Sequence, residues 1–83
     1  MSQNNFSDEE RKNMSMCLGT HSDFVHFIEA ARDLEINEYL LWTVPLEIEI
    51  LDAEEKARKK FSDEEFVVSS SFSKGTVKVE KIN

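Results

Sequence analysis

The sequence predicts a small α+β domain: two N-terminal helices, a long strand, a short helix and a C-terminal β-hairpin, forming a three-stranded sheet with helices on one face. Three observations carry this. Phe24, Phe27, Ile28, Ala31 and Leu34 recur at helical spacing. The period then drops to two, with Trp42, Val44, Leu46, Ile48 and Ile50 alternating with Thr43, Pro45, Glu47 and Glu49. Finally, two β-rich runs flank Ser73-Lys74-Gly75, the signature of a hairpin with glycine at a positive φ. A chain of 83 residues holds one domain. Residues 1–5 have nothing to pack and are expected to be disordered, which leaves 6–83 as the domain.

The first helix is expected to open at Phe6-Ser-Asp-Glu-Glu10, where Ser7 and Glu10 have capping-box spacing. Met14, Cys17 and Leu18 give it a thin apolar stripe, and Gly19-Thr20 stops it. Ser22 is the expected N-cap of the second helix, with Asp23 at the positive end of its dipole. Burying Phe24, Phe27 and Ile28 would contribute roughly 1.5–3 kcal/mol each before entropy.

The long strand is placed at about residues 41–51, with one face buried and one wet. Pro45 would cost a helix interior about 3 kcal/mol, so the strand is read as lying at or near an edge. Asp52 is expected to cap the short helix, with Glu55 completing a second capping box. Ala53, Ala57 and Phe61 form its stripe, and Glu54/Arg58 and Glu55/Lys59 support it at i, i+4. Phe6-Ser-Asp-Glu-Glu10 recurs as Phe61-Ser-Asp-Glu-Glu65, a repeat explained by capping chemistry, with Phe61 and Phe66 expected to staple the second copy. A winged helix also ends on a hairpin, but it needs a helix-turn-helix pair directly before it, an order the long strand interrupts.

Charge narrows the functional classes. The net charge is −7, which argues against direct DNA binding and against anionic membranes. The imbalance is local: residues 1–51 carry 10 acids against 3 bases, whereas residues 52–83 carry seven of each. One cysteine provides no intramolecular disulfide and points to a reducing, intracellular compartment. No apolar run approaches the ~20 residues of a membrane span.

Chemistry has few candidates. Cys17 and His21 are four apart, with Asp23 and His26 beyond, a spacing that a helix would turn into a metal or nucleophile–base pair. Gly19-Thr20 is expected to break any such helix, and structural or neutral roles are the better reading. Glu47 and Glu49 would lie ~6–7 Å apart on the strand's wet face, without the burial that separates an acid from a base. There is no glycine-rich phosphate loop and no Ser/His/Asp arrangement. The reading is a non-enzyme without a cofactor.

What remains is a protein-binding surface. Tyr39 and Leu41 are the apolar residues least accounted for by either period, and Asp33, Glu35, Glu38, Glu47 and Glu49 surround them in sequence. Apolar anchors inside a carboxylate rim suit an interface. The expected partner is a larger protein with a basic, nucleic-acid-handling surface, which this chain would block as an inhibitor of phage or bacterial immunity type. The alternative is a structural subunit of an assembly such as a ribonucleoprotein, touching RNA through Lys56, Lys59, Lys60, Lys74, Lys78 and Lys81.

Overall fold

The structure, a computed structural model, describes residues 15–62 and 64–83. Its elements are β1 (Met16–His21), α1 (Phe24–Ala31), β2 (Glu38–Thr43), α2 (Ile50–Lys60), β3 (Phe66–Ser71) and β4 (Thr76–Lys81). The strands form one mixed sheet in the order β1-β2-β4-β3. β1 runs parallel to β2, and β4 runs antiparallel to both its neighbours, β2 and β3. The class is therefore α+β as expected, but with four strands where three were predicted.

Both crossovers, β1–α1–β2 and β2–α2–β3, step across the sheet in the same direction. Parallel connections take one hand almost without exception, so two such steps place both helices on the same face. The core agrees. Phe27, Ile28 and Ala31 of α1 and Ala53 and Ala57 of α2 join Leu40, Trp42, Val68, Val77 and Val79 in a single buried cluster. Trp42 sits at its centre, 4.7 Å from the Phe24 ring and 6.0 Å from the Phe27 ring, measured between centroids. Such tilted and offset aromatic contacts add to simple burial.

The hairpin stands where the pattern placed it, with Gly75 at φ 65° in the turn, and so does the helical stripe as far as Ala31; the helix ends there, and Leu34 is buried from the irregular segment that follows. Asp23, not Ser22, caps α1, its side chain accepting from the His26 N–H at 2.9 Å. Ala53, Ala57 and Phe61 are buried, Glu54 pairs with Arg58, and the Phe61 and Phe66 rings lie 4.9 Å apart. Phe61 itself stands in a bend, and Glu64 and Glu65 form a turn rather than a helix.

Four expectations are corrected. The predicted first helix falls largely outside the described residues, including Ser7, Glu10 and Met14. The part that is described, Met16 to Leu18, is strand β1. Pairing with β2 explains it: Met16 N–H donates to the Asn37 carbonyl at 2.7 Å, and a bulge between Cys17 and Thr20 takes up Gly19 at φ 151°. That dihedral is open to glycine and closed to residues with a Cβ.

The long strand is shorter and earlier than its alternation implied. It occupies Glu38–Thr43, and Val44 makes the last bond across to the hairpin, its N–H donating to the Gly75 carbonyl at 2.9 Å. β4 begins at Thr76, so beyond Val44 no strand stands opposite, and the Pro45 carbonyl instead accepts from the Ile48 N–H at 3.0 Å, closing a turn. Leu46 is fully exposed there, and Ile50 opens α2. Nor is β2 an edge: β1 and β3 are the outer strands. The cap of α2 is Glu49, which makes no side-chain capping bond, so the Asp52/Glu55 box does not form and Asp52 lies within the first turn.

Leu46 gives a direct check. Leu46→Asp should leave the melting temperature within about 3 °C of the parent, as fully exposed substitutions do. A fall of ten degrees or more in a thermal melt would return Leu46 to the core and restore the long strand.

Candidate functional site

With both helices on one side, the other side of the sheet is left without a covering element among the described residues. Alternation decides what it shows. Leu40 and Trp42 point into the core, so Tyr39 and Leu41 point out. The register then lays residues across this face in rows. Cys17, Tyr39, Glu80 and Val67 form one, and Thr20, Leu41, Lys78 and Ser69 form the next.

Tyr39 and Leu41 are partly buried within these rows. The Lys78 ammonium lies 4.9 Å from the centre of the Tyr39 ring and 3.4 Å from a Glu80 carboxylate oxygen. A second Glu80 oxygen accepts from the Ser15 hydroxyl. Around Tyr39 and Leu41 the surface dips into a shallow depression of about 270 Å³, bordered by Ser69, Ser71, Lys74, Thr76 and Lys78. An aromatic ring, an aliphatic side chain, two cations and several hydroxyls can bind by stacking, hydrogen bonding and charge.

The predicted carboxylate rim is divided. Asp33 and Glu35 precede β2, whereas Glu47 and Glu49 follow it. A six-residue strand separates the two groups by roughly 17 Å. Glu38 alternates with Tyr39 and so faces the helices, where its carboxylate accepts from the Glu35 N–H at 2.8 Å. Glu47 and Glu49 stand in the turn and cap before α2 rather than on a strand face. Tyr39 and Leu41 are brought together as expected, but the neighbours around them are Lys78, Glu80 and the hydroxyls of β3 and β4. The polar positions of the hairpin, Ser69, Ser71, Thr76, Lys78 and Glu80, carried a signal for this in their alternation with Val68, Val77 and Val79. The sequence did not show that β4 would pair with β2.

Cys17 and His21 do not combine. Cys17 pairs with Tyr39 and His21 with Trp42, so their side chains leave opposite faces of the sheet. Cys17 is exposed, with Sγ 3.7 Å from the Gly19 carbonyl. His26 Nδ1 lies 3.2 Å from the Asp23 carboxylate on an exposed turn. Among the described residues no group of three His, Cys, Asp or Glu side chains converges as metal ligands would. Nor is any described helix long and apolar enough to cross a membrane. No protein-family model matches the chain, and neither a curated protein nor a solved structure matches it.

Proposed function

We propose that the protein is a non-enzymatic binding domain that docks the open face of its sheet onto a larger protein with a basic surface, and inhibits that protein by occupying the surface. The placement of Tyr39 and Leu41 supports this reading. They lie side by side on a sheet face that no described element covers, in the centre of the sheet, where interface anchors are best shielded from water. The net charge of −7 supplies long-range attraction to a basic partner. Asp33, Glu35, Glu47 and Glu49 flank the anchors at both ends of β2 and act on approach, while Glu80, beside Tyr39, is the carboxylate within contact range.

Lys74, Lys78 and Tyr39 around one depression favour a second reading, an assembly subunit that stacks RNA bases on the tyrosine and neutralises phosphates with the lysines. Its six lysines are not on one surface, however. Lys78 is on the open face, Lys81 lies on the helix-bearing side beside the Phe66 ring, and Lys56 folds onto Phe24.

Salt and nucleic acid separate the two. Immobilised protein should capture a basic protein from native extract, with an association rate that falls about tenfold as salt rises from ~50 to ~500 mM. A gel shift with RNA at ~50 mM salt should show no retardation. Retarded RNA, released when Lys74 and Lys78 are replaced, would overturn the inhibitor and establish the subunit.

A further inference from the structure

The two outer strands of the sheet differ. β1 is interrupted by its bulge and by Gly19. β3 runs in unbroken register with β4 from Phe66 to Ser71, and its sequence Phe-Val-Val-Ser-Ser-Ser contains no charge, proline or glycine. Proteins normally blunt an outer strand with one of those devices, because its unpaired backbone groups invite another strand. Ile82 N–H donates to the Glu65 carbonyl, which makes 65, 67, 69 and 71 the residues bonded to β4 and turns the N–H and C=O of 66, 68 and 70 outward. Arg58 donates to the outward Val68 carbonyl at 3.2 Å, and the second lone pair of that carbonyl has no partner among the described residues.

We propose that β3 is a self-association edge: two copies pair their β3 strands antiparallel about a two-fold axis at Ser69, joining two sheets into one of eight strands. Charge selects this register. Glu54 is held at Ser70 by the serine hydroxyl, and Arg58 is held at Val68. With the axis at Ser69, Val68 faces Ser70 of the second copy, so each Arg58 meets the other copy's Glu54. Moving the axis to Val68 would set Arg58 against Arg58, and moving it to Ser70 would set Glu54 against Glu54.

The same axis accounts for two exposed apolar side chains. Phe72 is 70% exposed and comes opposite Phe66 of the second copy, while Val67, 42% exposed, comes opposite Ser71. Residues 52–83, which carry this edge, hold seven acids and seven bases, so this segment brings no net charge to the contact. One strand and its flanks make a small interface, and the dimer is accordingly a weak one.

Sedimentation equilibrium over roughly 1 µM to 1 mM should show the mass rising from the 9.6 kDa monomer towards twice that value. S69K and S69E each place like charges at the axis and should stay monomeric, whereas an equal mixture of the two should associate. In the parent protein, hydrogen exchange at the Val68 and Ser70 amides should slow with concentration while β1 amides do not change, a readout that stands even if a variant fails to fold. A parent that remains monomeric at 1 mM, or a dimer that S69K leaves intact, overturns the proposal. So does concentration-dependent protection confined to another strand.

Discussion

Trp42→Ala is expected to remove a large share of the protein's stability. The side chain is 2% exposed and touches both Phe24 and Phe27 of α1 from the middle of the sheet. Truncating a buried aromatic to alanine costs about 3–5 kcal/mol, and a domain of this length holds roughly 4–12 kcal/mol in total. Circular dichroism during a urea titration should show a midpoint far below the parent's, or no transition at all. Trp42→Phe should remain folded. It keeps the aromatic packing and sheds an indole N–H that is buried without a hydrogen-bond partner among the described residues. An alanine variant as stable as the parent would mean that α1 does not dock on β2.

The second large effect concerns binding. Tyr39→Ala should raise the dissociation rate from the protein partner at a cost of roughly 2 kcal/mol or more, while the urea midpoint falls much less than for Trp42→Ala. The two residues are three apart on one strand and face opposite sides of the sheet, so they separate packing from recognition on a common backbone. Charge reversal at Glu35 and Glu47 together should act differently, lowering the association rate and leaving dissociation nearly unchanged. If Tyr39→Ala leaves the partner's affinity as it was, the open face is not the docking surface.

Much of this architecture is legible in the sequence where a single period operates. Phe24 to Ala31 has one helical stripe and one cap, and the hairpin has two runs and a glycine. Legibility fails where two periods overlap. From Val44 to Ile50 the alternation of apolar and acidic residues matches a strand, yet Ile50 is also the first member of the helical stripe completed by Ala53, Ala57 and Phe61. The sheet resolves the conflict: beyond Val44 the partner strand has already given way to the turn at Gly75, a tertiary fact that the local pattern does not carry. β1 was hidden for a different reason. Its residues are mostly exposed and carry no alternation, so its strand character comes from pairing with β2. Of the candidate site, Tyr39 and Leu41 could be found because neither period claimed them. Their actual neighbours could not, because residues 76–80 are brought to them only by the sheet order.

That sheet order also governs how the chain can reach its native state. β4 is the last strand in sequence, yet it fills the space between β2 and β3 and supplies both of their ladders. β3 and β4 can pair locally as a hairpin, β1 and β2 can pair and α2 can fold, but until the hairpin docks the inner edge of β2 is bare. Val77 and Val79, wholly buried in the finished core, are missing from the core of any earlier species. Assembly is therefore a closing step rather than a growth from one end, and it must meet the entropy of long loops before the central contacts reward it. A hairpin that has formed but not docked would display two bare edges, that of Phe66 to Ser71 and that of β4 meant for β2, the form in which such segments are most prone to stick to their own kind.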